Sequence, residues 1–420
     1  MNPLVVQKYG GTSVGSIERI KKVAERIAHT RKTGIDIIVV VSAMGGETDK
    51  LVDMARQINP DPKRREVDLL LSSGERVSSA LLSMALDNIG CPSISMTGRQ
   101  IGLLTDSSHT RARIKEIDTE RAKRVLKKKH VIVVAGFQGI NEHGDVTTLG
   151  RGGSDTSAVA LAVALNAERC EIYTDVDGVY TADPNVVPHA RKMDRVSYDE
   201  MLEMASLGAQ VLQFRCVEFC KKYHMPLIVK SSLKEDSAGT LICEEDSSME
   251  QAVVSGVMSD KNQAKITIKG VPDQPGIASK IFTGLANADL SIDMIIQNVS
   301  EEGLTDISFT LEKGDMGEAI KIVKKLGEVI KAREISADSD ICKVSIVGAG
   351  MRSNSGVAAQ MFRALSVENI NIAMISTSEI RVSCIVDEKY AELAVRVLHD
   401  TFNVSTEIGE AELNNGAQSA

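Results

Sequence analysis

"VVQKYGGTSVGS", residues 5–16, is a short apolar strand that ends in a lysine and enters a helix through paired glycines. Glycines let backbone N–H groups come close to a phosphate, and a helix N-terminus adds a favourable dipole. A Walker A loop has its lysine after the last glycine, whereas Lys8 precedes the glycines here. Taken alone, the stretch predicts either a phosphate-binding loop of another design or a plain tight turn between a strand and a helix.

More strands of the same kind follow, and helical patterns separate them. Short, β-branched, almost continuously apolar runs are typical of strands covered on both faces. The segment 155–167 is apolar on nearly every side, which is expected of a buried helix. The alternation predicts an α/β fold with a mainly parallel sheet sandwiched by helices. The apolar runs lie at residues 4–9, 35–44, 93–96, 131–137, 171–176 and 226–231.

The chain repeats itself towards its C-terminal end. Residues 232–251 are polar and acidic, which is typical of a domain boundary. Beyond them, 265–295 aligns with 343–375, because each runs strand, glycine turn, helix and a second strand that ends in Met-Ile. Two related units are therefore predicted. The turn "VGAG" (347–350) imitates a dinucleotide-binding turn, but too few residues follow it for that fold, and the sibling turn lacks the pattern.

Composition limits the function classes. The chain has 420 residues, and 49 Lys and Arg against 57 Asp and Glu give a net charge of −8. This charge argues against nucleic acid or an acidic membrane surface as a partner. No apolar run approaches the roughly 18 residues of a membrane span, and no signal peptide is evident. Seven scattered cysteines suit a reducing compartment. We therefore expect a soluble, cytoplasmic protein of two or three domains.

Three further segments place polar side chains near predicted strand ends. "SSGERVSS" (72–79) is interpreted as a helix start that carries Glu75. "TLGRGGSDTSA" (148–158) combines paired glycines with charged residues, and "TDVDGVYTADPN" (174–185) follows a strand. In open parallel sheets, ligands bind beyond the carboxyl ends of the strands. Convergence of these loops with the first glycine loop predicts a binding site.

These motifs, with "VVSAMGGETDKL" (40–51), resemble the amino acid kinase superfamily and, within it, the aspartate kinases. The resemblance covers nearly the whole chain, because aspartate kinases also carry two C-terminal ACT domains, which are ferredoxin-like α+β modules. The implied domains are a kinase domain at 1–245, a first ACT domain at 263–340, a second at 251–262 plus 341–406, and a disordered tail at 407–420.

The resemblance implies transfer of the ATP γ-phosphoryl group to the β-carboxylate of L-aspartate, the first step toward lysine, threonine and methionine. A carboxylate is already ionised at pH 7, so no general base is required. The site must instead position two anions and neutralise charge on the moving phosphoryl group. Magnesium is expected to arrive bound to ATP rather than in a protein cage.

The resemblance also implies residue roles. Lys8 and Asp155 are the expected catalytic residues, with Lys8 on the transferring phosphate. Glu75 is expected on the substrate ammonium and Arg151 on a carboxylate. The expected aspartate site comprises Ser42, Thr48, Glu75, Arg151, Gly152, Gly153 and Ser154. The expected ATP contacts are Lys8, Tyr9, Gly10, Gly11, Thr174, Asp175, Tyr180, Thr181, Ala182, Asp183, Pro184, Asn185 and Gln210.

Two positions depart from the family. Gln210 stands where a lysine that reaches ATP often follows "GA", and Lys230 stands where relatives commonly have arginine. Cys216, Cys220 and His224 are spaced like a metal-binding helix face, but no fourth ligand is near in sequence, so a core role is favoured.

The repeated units admit two interpretations. They bind lysine, threonine or both as feedback inhibitors, or they form a dimerisation module that binds nothing. The resemblance implies a homo-oligomer through the ACT domains or a complex with a separate regulatory chain. The expected effector contacts are Asp273, Ile277, Ile292, Asp293, Met294, Gln297, Asn354, Ser355, Asn371, Ile372 and Glu379. Two other functions stay open, namely a kinase for another carboxylate such as N-acetylglutamate and a catalytically silent amino-acid sensor.

Overall fold

The computed structural model describes residues 2–207, 211–234, 237–245, 252–299 and 303–404. Gln210 and the tail expected at 407–420 lie outside the described residues. The chain forms two compact units. The first comprises the described residues of Met1–Val179, Lys192–Ser206 and Gln210–Ser248, and the second those of Tyr180–Arg191, Leu207–Ala209 and Met249–Ala420. No helix in these described ranges is long and apolar enough to cross a membrane.

The first unit combines short strands with helices. Its described strands are β1 (Leu4–Tyr9), β2 (Asp36–Val41), β3 (Ser93–Met96), β4 (Leu103–Thr105), β5 (Ile114–Ile117), β6 (Val131–Ala135), β7 (Gln138–Ile140), β8 (Val146–Thr148), β9 (Arg169–Thr174), β10 (Arg195–Ser197), β11 (Leu227–Ser231) and β12 (Thr240–Cys243). Its described helices are α1 (Ile17–Lys32), α2 (Glu47–Ile58), α3 (Arg64–Asn88), α4 (Gly98–Ile101), α5 (Glu120–Lys127), α6 (Gly153–Ala164), α7 (Tyr198–Ser206) and α8 (Phe214–Tyr223).

The large sheet of this unit has the strand order β10-β12-β11-β9-β1-β2-β6-β3. Its central pairs, β11 with β9, β9 with β1, β1 with β2 and β2 with β6, are all parallel. A smaller sheet has the order β5-β4-β7-β8. Because β1 lies between β9 and β2, the loops that follow these three strands emerge at one edge of the sheet.

Helices cover both faces of the large sheet. Along β2, Ile37 and Val39 pack in the cluster that also contains buried side chains of α1 and α3. Val40 points to the opposite face by strand alternation. There, a Cβ on Gly136 would lie 2.8 Å from Val40 Cγ1 and 2.9 Å from Ser154 Oγ at the start of α6. The predicted parallel sheet between helical layers is confirmed.

One sequence interpretation of this unit is wrong, and another is incomplete. The segment 72–79 does not start a helix, because α3 begins at Arg64 and runs through it. Ser72 and Ser73, which resemble capping residues, donate their hydroxyls to carbonyl oxygens three residues earlier within the helix. The division between the two units falls within the stretch 232–251, as predicted, but β12 also lies in this stretch and pairs with β11. A four-residue strand in a polar segment is too short to show a pattern.

The second unit contains the repeat. Its described elements are β13 (Gly256–Pro272), α9 (Ile277–Ala286), β14 (Ile292–Val299), β15 (Leu304–Glu312), α10 (Met316–Ile330), β16 (Glu334–Val347), α11 (Val357–Val367), β17 (Met374–Thr377), β18 (Arg381–Asp387) and α12 (Ala391–Thr401). The strands form one antiparallel sheet in the order β14-β15-β13-β16-β18-β17.

One long strand serves both copies of the repeat. The start of β13 pairs with the end of β16, as Gly256 lies opposite Val347. The later part of β13 pairs with the start of β16 on one side and with β15 on the other, as Lys269 lies opposite Glu334. Each copy packs its helices over its own apolar cluster.

Candidate active site

Two buried side chains of opposite charge meet where β1 ends and α6 begins. Lys8 is the penultimate residue of β1, and Asp155 lies in the first turn of α6. Lys8 Nζ lies 2.5 Å from Asp155 Oδ1, and the residues are only 8% and 7% exposed. Water screens such a pair little, so its interaction is stronger than that of a surface pair. The structure thus brings together the two residues expected to be catalytic.

The glycine loop after β1 is tied to the loops that follow the neighbouring strands. Gly10 N–H donates to Tyr173 O in β9 (3.1 Å), and Gly45 N–H donates to Gly11 O (3.1 Å). A Cβ on Gly11 would lie 2.8 Å from Ala43 O, so this approach requires glycine. The loops after β1, β2 and β9 therefore meet at the carboxyl edge of the sheet.

Glu75 reaches the loop after β2 from the middle of α3. Gly74 permits the approach, because a Cβ there would lie 2.7 Å from the Ala43 Cβ. Ala43 N–H donates to Glu75 Oε1 (3.2 Å), while Oε2 is buried without a hydrogen-bond partner in the described part of the chain. Burial raises the pKa of Glu75 from its ordinary 4.5 to about 7. A buried oxygen without a partner is a ready acceptor for a ligand ammonium.

The other predicted aspartate contacts lie on the same loop or at α6. Ser42 is half-buried, and its N–H donates to Tyr9 O (3.1 Å). Thr48 lies half-buried in the first turn of α2. Gly153 and Ser154 begin α6 and are buried.

The loop before α6 is held by residues that the sequence did not single out. Arg151 is exposed, and Gly152 has a left-handed φ of +66°. A Cβ on Gly152 would lie 1.9 Å from Gln213 Cγ, so a larger residue would displace Gln213. Arg215 Nη1 donates to Leu149 O (3.0 Å). Gln213 and Arg215 therefore position the loop that presents Arg151.

Asp68 is a second positioning residue that sequence reasoning missed. It is fully buried and accepts hydrogen bonds from Thr148 Oγ1 (2.5 Å) and the Thr110 N–H (3.0 Å). His109 Nδ1 lies 2.6 Å from its other oxygen. Since Thr148 ends β8 just ahead of the Arg151 loop, Asp68 fixes the start of that loop. These partners are 41 to 80 positions away, so no local pattern reveals them.

The residues predicted to contact ATP divide between the two units. In the first, Thr174 ends β9, and its Oγ1 donates to Asp175 Oδ1 (3.1 Å). Tyr180–Asn185 belong to the second unit, where Thr181 and Ala182 are buried. Asp183, Pro184 and Asn185 are exposed and Tyr180 is half-buried.

The position of the Tyr9 side chain differs from the one expected of an ATP contact. Its ring is fully buried, lies 4.6 Å from the ring of Tyr173 in a stacked arrangement, and donates its hydroxyl to Gln7 Oε1 (3.3 Å). The side chain therefore belongs to the core and does not face a ligand. Neighbouring side chains of a strand point to opposite faces, so Lys8 and Tyr9 of β1 do not both direct their side chains to one ligand.

Lys230 forms an ion pair with the buried carboxylate of Glu171 in β9. Lys230 Nζ lies 3.3 Å from Glu171 Oε1, Arg169 Nε lies 2.9 Å from the same oxygen, and Gln7 Nε2 donates to Oε2 (3.0 Å). Burial raises the pKa of Glu171, but the two cations and the Gln7 amide outweigh it and lower the pKa below its ordinary value. Lys230 therefore has a structural partner that joins β9 to β11.

The metal interpretation of Cys216, Cys220 and His224 is not supported. Both cysteines are fully buried in α8, whereas His224 is exposed and its Nδ1 lies 2.8 Å from Glu244 Oε2. The cysteines belong to the core, as the sequence favoured.

Part of the predicted effector site forms a cavity in the first ACT-like copy. The cavity is about 320 Å³ and is lined by residues of the turn before α9 together with β14 and β15. Asp273, Ile277 and Gln297 from the prediction are among its lining residues. Ile292 packs against the core, Met294 is buried, and Asp293 forms an ion pair with buried Lys343, so these three lie elsewhere.

The second copy places its predicted effector residues differently. Asn354 and Ser355 are exposed just before α11, and Asn354 Nδ2 donates to Gly350 O (2.8 Å). Asn371 is exposed and Ile372 packs against the core. Glu379 Oε2 lies 3.5 Å from Arg352 Nε.

Comparison with known proteins shows the family of the chain. The amino acid kinase family matches residues 3–231, and the ACT domain matches residues 265–328 and 344–402. An aspartokinase of Pseudomonas aeruginosa is 54% identical over 411 residues, which are 97% of this chain and 100% of the relative. The chain belongs to the aspartate kinase family. It is therefore a kinase with two ACT domains, and the family prediction is confirmed.

Solved aspartate kinases have the same fold. E. coli aspartokinase III in complex with aspartate and ADP, in its R-state, is 26% identical with a TM-score of 0.81 over 95% of this chain and 99% of that chain. The same enzyme in complex with lysine and aspartate, in its T-state, gives a TM-score of 0.75 with the same identity and coverage.

Proposed function

We propose that this aspartate kinase transfers the γ-phosphoryl group of ATP to the β-carboxylate of L-aspartate, giving 4-phospho-L-aspartate. The observation that carries the proposal is the buried Lys8–Asp155 pair at the glycine loop, beside the loop that Glu75 contacts. The names of the relatives and the ADP and aspartate of the E. coli complex support the same substrates.

The chemistry suits these residues. Phosphoryl transfer to a carboxylate depends on positioning and charge neutralisation rather than on proton removal. Lys8 supplies a cation for the transferring phosphate, and Asp155 holds the ammonium in place. The lysine and the glycine loop fit a nucleotide phosphate, and Mg²⁺ is carried by ATP. Glu75 binds the substrate ammonium through its free Oε2, and Arg151 binds a substrate carboxylate.

The proposal is tested by acyl-phosphate formation from L-aspartate, ATP and Mg²⁺, trapped with hydroxylamine as the hydroxamate. We expect product that requires aspartate, with N-acetylglutamate as the comparison substrate. If product forms only with N-acetylglutamate, that compound and not aspartate is the substrate. If product forms with neither compound, the chain is a catalytically silent amino-acid sensor.

The raised pKa of Glu75 predicts a pH-dependent affinity for aspartate. The ammonium requires the ionised carboxylate, whose population falls about tenfold per pH unit below a pKa of about 7. We therefore expect the KM for aspartate to rise about tenfold between pH 8 and pH 6, where the β-carboxyl and ammonium of free aspartate do not titrate. Initial rates across this range check the prediction. The slope is expected to vanish in Glu75→Gln, and a flat wild-type profile would contradict the assigned role.

Regulation is the second half of the proposal. Lysine, threonine or both inhibit the enzyme by binding the cavity lined by Asp273, Ile277 and Gln297. Its volume of about 320 Å³ is within the range of small-molecule sites. Inhibition requires that the effector bind one conformational state better than the other. The lysine of the E. coli T-state complex supports this kind of effector.

Gln297→Ala is expected to raise the effector concentration needed for half-inhibition at least about tenfold, because it removes a polar contact worth about 1.4 kcal/mol or more. Asn298→Ala is the matched control, since the next residue of β14 points to the opposite face. The half-inhibitory concentrations of lysine and threonine are measured against each variant's own uninhibited rate. Equal values in both variants would exclude Gln297 from the site.

The domain bounds follow from the same proposal. We assign the kinase domain to 1–245, of which the segment Tyr180–Arg191 packs in the second unit, the first ACT domain to 263–340 and the second to 251–262 plus 341–406. The pairing of β13 with both parts of β16 supports the insertion of the first ACT domain into the second. We assign assembly to the ACT domains, as a homo-oligomer or with a separate regulatory chain.

A further inference from the structure

Three potential metal ligands cluster in the second unit, away from the effector cavity. His189, His399 and Asp400 each offer one ligand atom, and these atoms all lie within 4.8 Å of one another. His189 Nε2 lies 3.0 Å from Asp400 Oδ1, and the two imidazole rings are 5.2 Å apart in an edge-to-face arrangement. His399 and Asp400 belong to α12, whereas His189 comes from the segment 180–191.

His399 is the buried member of the cluster. It is fully buried, and its Nδ1 has no hydrogen-bond partner in the described part of the chain. Its Nε2 lies 3.0 Å from Thr181 Oγ1. A metal-bound histidine commonly donates its second ring N–H to an oxygen, which fixes the ring and the tautomer. The Thr181 hydroxyl is such an oxygen for His399 Nε2, and His399 Nδ1 is then the nitrogen that can bind a metal.

The segment that carries His189 is fixed in the same unit. Arg191 N–H donates to Thr181 Oγ1 (3.0 Å), and Thr181 N–H donates to Arg191 O (2.9 Å), so the two ends of the segment are joined. Val257 N–H donates to Thr181 O (2.7 Å), and Val187 packs in the cluster that includes Leu398 of α12. The ligands are thus held by backbone that is already folded, which lowers the entropy lost on binding.

The exposure of the cluster suits a bound ion. The side chains of His189 and Asp400 are 54% and 65% exposed, so water has access to the remaining coordination positions.

We propose that His189, His399 and Asp400 form a binding site for a divalent transition metal such as Zn²⁺, which fastens the segment 180–191 to helix α12. Two imidazoles and a carboxylate with an open position are a known ligand set for Zn²⁺ and neighbouring metals, whereas Mg²⁺ and Ca²⁺ prefer oxygen ligands. Binding links residues more than two hundred positions apart in the sequence, so the ion stabilises the fold of the second unit.

The test uses the full-length chain, stripped with a chelator and titrated with Co²⁺ and then Zn²⁺. We expect stoichiometric Co²⁺ binding with the visible absorption that is typical of Co²⁺ at a low coordination number. We also expect displacement of Co²⁺ by Zn²⁺ and a Zn²⁺-dependent rise in Tm. His189→Ala and Asp400→Asn change exposed side chains and should fold normally. Each is expected to weaken Zn²⁺ binding at least about tenfold. Substitution of a residue that only holds a metal ligand in place already lowers metal affinity by about 10-fold or more, and these residues are ligands themselves.

His224→Ala is the matched control, because His224 and Glu244 also form an exposed histidine–carboxylate pair, and no second histidine joins this pair among the described residues. This control is expected to bind Zn²⁺ as the wild type does. Cys243, the one cysteine that is not buried, is controlled with Cys243→Ser. The proposal is overturned if Zn²⁺ does not bind at equimolar concentration, if binding survives His189→Ala unchanged, or if Cys243→Ser abolishes it.

Discussion

Lys8→Ala is expected to lower the turnover number at least about 10²–10³-fold, the cost of removing one preorganised group that stabilises transition-state charge. The Lys8 ammonium is 2.5 Å from Asp155 and almost buried, so neither water nor a neighbouring exposed lysine can replace it. The measurement is the rate of hydroxamate formation at saturating ATP and aspartate. Lys50→Ala is the control, because Lys50 is exposed and pairs with Glu47 within α2.

Loss of folding must be separated from loss of catalysis in this variant. Lys8→Ala leaves the Asp155 carboxylate buried without its cation, which typically destabilises a protein by about 3–5 kcal/mol. The double variant Lys8→Met with Asp155→Asn removes both charges and is expected to regain most of that stability. It should remain inactive, because the cation for the phosphate is still missing. Near-normal turnover in either variant, with a normal Tm, would remove Lys8 from the reaction.

Glu75→Gln is expected to raise the KM for aspartate at least about 30-fold, since loss of one member of a buried charge pair costs about 2 kcal/mol or more. Glutamine keeps the shape and can accept the Ala43 N–H, so the loop after β2 stays in place. The folded-state pKa of about 7 exceeds the ordinary 4.5, so ionisation of Glu75 reduces stability as pH rises through this interval. The variant should therefore be as stable as the wild type at pH 8, or more stable.

Glu66→Gln on the same helix is the control, because Glu66 is exposed and pairs with Arg65. Its KM for aspartate is expected to match the wild type. An unchanged KM in Glu75→Gln would show that Glu75 Oε2 does not bind the ammonium of aspartate. A fall in Tm at pH 8 would show that the carboxylate supports the fold rather than the substrate.

The architecture followed from the sequence where one physical signal dominated. The run at 35–44 is almost continuously apolar because β2 is covered on both faces, and α6 is apolar on nearly every side after its first turns because it is buried from Gly153 to Ala162. The internal repeat revealed two copies of one unit. The start of α3 was missed because "SSG" carries cap and breaker residues, although here the serines bond within the helix and Gly74 serves close packing.

The candidate site was only partly predictable. Convergence of strand ends brought Lys8 and Asp155 together as expected, because parallel strands present their loops at one edge. Asp68, Gln213 and Arg215 were not predicted, because their roles rest on contacts between distant positions. Nor does any local signal assign the segment 180–191 to the second unit, since the apolar cluster that holds Val187 is formed by residues near the other end of the chain.

The shared strand β13 has a consequence for how the chain is made. Its first residues leave the ribosome well before β16, the partner that they need, because Gly256 pairs with Val347. The first ACT domain can complete its sheet while the second, into which it is inserted, still has one unpaired strand edge. An unpaired edge favours aggregation. Only the end of β16 and β18 then complete the second copy, late in synthesis. In a duplication joined in this way, a single deletion can remove the inserted copy but not the copy that surrounds it, because the two parts of the surrounding copy lie on either side of the insertion.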